Sequence, residues 1–185
     1  MIYEKLIEGI FVSLRSVEES DAEIILKWRT DENISKYLHK VDNDIEKQKN
    51  WIQEQRIREG DFYFMIIDKE NNPVGTISLY NIDYEKKEGE FGRWICLSPI
   101  FAIESAILIY EFGFECLSLN RIISKTVSNN IPVINFHKRF GASYVKDKIK
   151  EGDFYLTEYE ILKDNYSLIK EKNYNILNNF KRRGI

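Results

Sequence analysis

Residues 91–140 constrain the fold more than any other stretch of the chain. Phe91-Gly-Arg-Trp-Ile-Cys-Leu97 is rich in β-forming residues, and Ser98-Pro99 stops it. From Ile100 to Cys116, Ile103, Ala106, Ile107, Tyr110 and Phe114 fall on one helical stripe. Leu119 to Val127 reads as a second strand. Asn129 and Asn130 can cap a following helix, Pro132 fits its first turn, and Phe140-Gly141 ends it. Two strands joined by a helix run parallel in one sheet, with a right-handed crossover.

Everything around this unit reads as hairpins and helices. Residues 9–15 alternate like a strand. Ser16-Val-Glu-Glu19 has the form of a capping box opening a helix that carries Ala22, Ile25, Leu26 and Trp28. Residues 31–38 continue as a short helix, and Asn43-Asp-Ile-Glu46 starts another that runs to about Arg58. Residues 61–68 and 74–80 flank the turn 69–73 as a hairpin, and a charged loop, 84–90, follows. Residues 141–150 and 153–162 form a closing hairpin around Glu151-Gly152, and 164–181 an amphipathic helix. The predicted fold class is α/β (α+β), one domain. Its mixed, mostly antiparallel central sheet has about six to seven strands flanked by helices, with an extra C-terminal helix. Residues 1–163 make the domain and 164–185 a helical extension of it.

The 185 residues fit one domain. With 27 basic and 30 acidic residues the net charge is −3, which argues against a nucleic-acid-coating or membrane-surface role. No apolar run approaches the roughly 18 residues of a transmembrane helix, and the start lacks a signal-peptide core. Cys96 and Cys116 make no disulfide framework, and with His39 and His137 as the two histidines no metal site is expected. The expected location is the cytoplasm.

Several strings carry a resemblance. Leu119-Asn-Arg-Ile, followed by Val127-Ser-Asn-Asn-Ile-Pro-Val-Ile-Asn-Phe-His-Lys-Arg-Phe-Gly141, resembles the strand and "V-x-x-x-N-x-x-A-I-x-x-Y-E-K-x-G-F" helix of the GNAT N-acetyltransferases. The similarity spans roughly residues 9–162. Leu26-Lys-Trp-Arg-Thr-Asp-Glu-Asn-Ile-Ser-Lys-Tyr-Leu38 resembles the branch that holds ribosomal-protein N-terminal and sugar-nucleotide N-acetyltransferases. The resemblance implies an acetyl-CoA-dependent N-acetyltransferase, with direct attack of a primary amine on the thioester and no acyl-enzyme. The acceptor it implies is an amino sugar on a nucleotide first, a protein N-terminus second, and an antibiotic or polyamine third. One departure stands out. The family's Q/R-x-x-G-x-G/A loop is replaced by Leu97-Ser-Pro-Ile-Phe-Ala-Ile-Glu-Ser-Ala106, which has no glycine and is shorter. A helix N-terminus still offers free N–H groups to pyrophosphate, here those of Ile100, Phe101, Ala102 and Ile103.

Acetyl transfer needs a base for the amine, a donor for the thioester oxygen, and an acid for the leaving thiolate. Glu90 is the candidate base; the alternative is an exposed glutamate in the charged loop. His137 stands at the motif tyrosine and is the candidate acid; the alternative is a helix residue that only touches ligand. The resemblance places the carbonyl donor among the backbone amides of Ile95, Cys96 and Leu97. It also places Asn130 on the pantetheine arm, where capping alone would equally explain it. Phe136 is expected near the cofactor, and Lys138 and Arg139 near its phosphates or on a solvated face. Cys96 is expected to be inert, because it sits in an apolar strand. Tyr37, Tyr80 and Arg93 are the candidate acceptor wall; Trp28 fits the core better. The competing class is a non-catalytic GNAT-like module that binds CoA or a partner. The last helix either docks on its own domain or pairs with a second copy in a homodimer.

Overall fold

Strand β3 (Phe62–Asp68) sets the layers, because its residues are buried on both faces. Phe62, Phe64 and Ile66 enter one core, and Tyr63, Met65 and Ile67 the other, as strand alternation requires. The computed structural model describes residues 1–183. Around β3 lie β1 (Ile7–Glu8), β2 (Val12–Ser16), β4 (Pro73–Asp83), β5 (Glu88–Cys96), β6 (Arg121–Val127), β7 (Ser143–Glu151) and β8 (Phe154–Leu162). The helices are α1 (Ala22–Thr30), α2 (Glu32–Ser35), α3 (Ile45–Ile57), α4 (Pro99–Glu111), α5 (Ile131–Phe140) and α6 (Lys163–Arg182). The eight strands order as β1-β2-β3-β4-β5-β6-β8-β7, and β5–β6 is the one parallel pair. Ala22, Ile25 and Trp28 of α1 pack with Ile52 of α3 on one face, while α4 covers the other.

The mixed sheet agrees with the sequence pattern, and the differences have local causes. The strand expected at 9–15 begins only at Val12, because residues 9–11 form the turn between β1 and β2. In that turn the amides of Ile10, Phe11 and Val12 point inward onto the carboxylate of Glu104, at 2.5, 2.6 and 2.7 Å. Glu104 is completely buried on α4. A side chain at Gly9 would lie 2.7 Å from its carboxyl carbon, so the turn requires glycine. The expected capping box at Ser16 is displaced. Ser16 ends β2 and bonds the backbone of Tyr3, while Asp21 accepts from the Glu18 amide and pairs with Arg15. The helix expected over 100–116 widens to a π-helical turn at Phe112–Cys116. Finally, β5 begins at Glu88, which lifts Glu90 out of the loop and into the sheet.

Helix α6 docks on its own domain. Tyr166 donates to the Ile107 carbonyl at 2.9 Å, Asn173 donates to the Phe140 carbonyl at 2.8 Å, and Lys170 pairs with Glu111. Residues 184 and 185 of the expected extension lie outside the described residues.

Glu104 ties α4 to the β1–β2 turn through three backbone N–H groups. Replacing it by alanine strands those donors in the core, at a cost of roughly 3 kcal/mol or more. Urea unfolding of Glu104→Ala should show that loss, with a smaller one for Glu104→Gln, which keeps one acceptor oxygen.

Candidate active site

The site begins where β5 and β6 part. They pair in parallel from Glu88–Arg121 to Phe91–Ser124 and no further. Beyond that point β5 stays with β4 as far as Cys96, and β6 stays with β8 as far as Val127. The parting is reinforced by a bulge in β5, where Arg93 adopts φ +47° and the register against β4 shifts. Thr76 Oγ1 donates to the Arg93 carbonyl at 3.1 Å and holds the bulge. The opened wedge is a cleft of about 220 Å³. Its walls come from β5, β6, α5, the end of α1, residues 37–39 and the β7–β8 tip.

Glu90 sits at the floor of the wedge, only 7% exposed. The exposed-loop alternative is therefore excluded by its position. Tyr80 donates to Oε1 at 2.7 Å, and Lys125 and Asn81 donate to Oε2 at 3.0 and 3.3 Å. The carboxylate is thus fixed in direction. Burial, followed by the charge and hydrogen bond of Glu90, raises the Tyr80 phenol far above its ordinary pKa, so it stays protonated. Arg93 lies 4.3 Å over the Tyr80 ring and 5.2 Å from that of Trp51, and is clamped bidentately by Asp61 at 2.6 and 2.9 Å. Tyr80 and Arg93 line the cleft, and so does Tyr37 from the segment after α2.

His137 projects from α5 into the opposite wall and is 3% exposed. Its ring stacks on Tyr159 at 5.5 Å and meets Phe91 edge-on. Nδ1 lies 3.4 Å from Ser124 Oγ. Burial pushes its pKa down to about 4, so the imidazole is neutral at pH 7 and carries no surplus proton. The expected acid thus has the expected place but not the charged form.

A family model described as an acetyltransferase (GNAT) domain matches residues 12–143. The chain belongs to that family. The uncharacterized N-acetyltransferase p20 of Bacillus licheniformis is 29% identical over 174 residues, covering 84% of this chain and 95% of the relative. The uncharacterized N-acetyltransferase YokL of Bacillus subtilis, from the SPbeta prophage, is 25% identical over 140 residues, covering 72% and 76%. Among solved structures, apo FdhC, a nucleotide-linked sugar GNAT, matches with a TM-score of 0.78 at 30% identity, over 90% of this chain and 95% of that one. A spermidine N-acetyltransferase from Vibrio cholerae, in complex with CoA and spermine, matches with a TM-score of 0.75 at 18% identity, over 84% and 97%. That last likeness is one of fold.

In this GNAT acetyltransferase the open edge of β5 and the start of α4 offer free backbone amides; the residues lining the cleft on β5 stop at Trp94, so the expected Ile95, Cys96, Leu97, Phe101, Ala102 and Ile103 lie outside that lining. No strand lies against β5 beyond Phe91 on the cleft side. The Leu97 amide is already bonded to the Val74 carbonyl at 3.1 Å, which removes Leu97 as a donor. Strand alternation then turns the Cys96 amide toward the open edge and the Ile95 amide away from it. At α4, Ala102 N–H is bonded to the Ser98 carbonyl at 2.9 Å and Ile103 lies deeper in the helix, so neither amide is available. The free donors are the amides of Ile100 and Phe101. No acid stands in this first turn and no side chain caps it.

The remaining expected residues divide. Asn130 lines the cleft and caps α5, its Oδ1 accepting from Val133 at 3.4 Å. Phe136 packs on Trp94 at 4.7 Å, just behind the cleft. Lys138 and Arg139 are exposed and do not line it. Burial pushes the Cys96 thiol up to about 11, away from nucleophilic chemistry. Among the described residues no group of three or more His, Cys, Asp or Glu is placed to hold a metal, and no helix is long and apolar enough to cross a membrane.

Lys125, Asn81, Ser124 and Arg29 are site residues that the sequence reading passed over. Lys125 and Ser124 follow strand alternation and carry no motif. Arg29 lay inside the string 26–38, next to Trp28, which is core.

The His137 environment gives a pH test. An unfolded histidine titrates near 6.5 and the folded one near 4. Between these values the unfolded chain binds the extra proton, so stability falls as pH drops from about 6.5 toward 4. At pH 4.5 the loss from this group should be roughly 2–3 kcal/mol. His137→Phe, which keeps an aromatic ring, should lose that part of the slope in urea unfolding at pH 7 and pH 4.5.

Proposed function

We propose that the protein transfers an acetyl group from acetyl-CoA to a small primary amine, and that the amine is an amino sugar linked to a nucleotide. The observation that carries the reading is Glu90, held by three donors at the floor of the wedge between β5 and β6. Acetyl-CoA supplies an activated acyl group on a thioester. The Cys96 amide is the donor for the thioester oxygen, and the start of α4 supports the pyrophosphate through the Ile100 and Phe101 amides. Glu90 takes the amine proton, directly or through one water, and Tyr80 and Lys125 keep its oxygens aimed. His137 acts as a neutral donor: Ser124 Oγ donates to Nδ1, which leaves the proton on Nε2 to face the leaving sulfur. The amine enters past Tyr37 and Arg93. A reaction that consumes acetyl-CoA suits the cytoplasm.

The sugar-nucleotide acceptor is supported by the likeness to FdhC at 30% identity. The second reading is a polyamine, favoured by the likeness of fold to a spermidine N-acetyltransferase. A protein N-terminus, second on the sequence alone, falls to third, because nothing in the cleft favours it. The functional test is release of free CoA from acetyl-CoA across a panel of amines. Wild type should turn over at least one of them. Glu90→Gln, which keeps the Tyr80 contact, should lower kcat by roughly 10²–10⁴ with little change in the KM for acetyl-CoA. An unchanged kcat at saturating acceptor would remove Glu90 from the role of base.

A further inference from the structure

The cations of the cleft are not all paired within the protein. Lys125 is paired with Glu90 at 3.0 Å, and Arg93 with Asp61 at 2.6 Å. His39 Nε2 faces Glu151 at 3.5 Å across the mouth. Arg29 is different. It ends α1, lines the same cleft, and makes no ion pair among the described residues. Its one hydrogen bond donates from Nη2 to the His39 carbonyl at 2.7 Å, and its buried Nε has no partner. The nearby Arg93 repels it, and burial pulls its pKa down. The guanidinium stays charged at neutral pH all the same.

A largely desolvated cation without a counter-charge costs stability, and proteins keep such groups where a ligand supplies the charge. The C-terminal end of α1 favours a cation only modestly and supplies no counter-charge. Nor does holding residues 37–39 require a charge, since one neutral donor would bond the His39 carbonyl.

Resting on the reading of this cleft as an amine acceptor site, we infer that Arg29 is its specificity-determining residue and that the acceptor carries an anionic group, of the phosphate or pyrophosphate class. The fork of the guanidinium fits two phosphate oxygens at once. A polycationic amine would meet the unpaired guanidinium of Arg29 at that wall. Arg29 touches the acceptor away from the reacting nitrogen, so it sets binding rather than chemistry.

The test uses the full chain saturated with CoA, so that the cofactor's own phosphate sites are filled. Inorganic pyrophosphate is titrated by calorimetry into wild type, Arg29→Lys and Arg29→Gln. Wild type should bind, Arg29→Gln should bind at least tenfold more weakly, and Arg29→Lys should recover part of the difference, with CoA affinity equal in all three. Absence of pyrophosphate binding to the wild-type CoA complex, or equal binding to Arg29→Gln, would overturn the inference. A turnover arm compares glucosamine 1-phosphate, glucosamine and spermidine. Preference for the phosphorylated amine, with its KM raised at least tenfold and kcat kept in Arg29→Gln, supports the inference. Equal or better use of spermidine overturns it while leaving acetyl transfer intact. Pyrophosphate binding that depends on Arg29, with no amine turned over, would support the anion site and count against the proposed function instead.

Discussion

The structure depends on four residue pairs. Parallel pairing of β5 and β6 runs from Glu88–Arg121 to Phe91–Ser124, and each strand then follows its other neighbour. The hydrogen bonds that close the sheet on either side are what hold the wedge open. The bulge at Arg93 turns β5 further from β6, and Thr76 fixes it there. Strand separation that would be a defect in an ordinary sheet here frees backbone amides beside a cavity lined by α5. That geometry brings a held carboxylate and a buried imidazole to one cleft, and the free edge of β5 runs on from it.

Burial then decides the state of each group. His137 is walled by Phe91, Phe136 and Tyr159, so desolvation outweighs any benefit of charge and keeps it neutral. Tyr80 is kept protonated by burial and by the carboxylate it serves. Glu104, buried as deeply as any of them, does no work in the cleft. It spends its charge on three backbone amides and so locks α4 against the β1–β2 turn. Buried carboxylates in this chain therefore serve two ends, one structural and one facing the site, and their partners tell them apart.

Much of this was legible in the sequence. The strand–helix–strand–helix run at 91–140 demanded the parallel pair, and the Asn130 to Gly141 string pointed to both the cap and the position of His137. Glu90, Tyr80, Arg93 and Tyr37 meet in one cleft, as expected from their places along the chain. What could not be read depended on distant partners. Glu104 holds the turn before β2 from 92 to 94 residues away, and no local pattern at 9–15 announces it. The splay itself arises from pairing with β4 and β8, so the sequence of β5 alone did not say which of Ile95, Cys96 and Leu97 keeps a free amide. Lys125 pairs with Glu90 and Arg29 makes no ion pair among the described residues, and neither fact appears until opposing walls are brought together. The lack of glycine before α4 was visible, and its meaning is structural: the helix start keeps free amides without it.

The account stands on one claim, that this glycine-free helix start and open strand edge hold acetyl-CoA. Thermal unfolding with and without acetyl-CoA tests it most directly. Ligand at about 100 times its Kd adds roughly 2.7 kcal/mol, which should raise Tm by about 5 °C or more in a domain of this size. An unchanged Tm at millimolar acetyl-CoA would contradict the account and leave a GNAT fold put to another use.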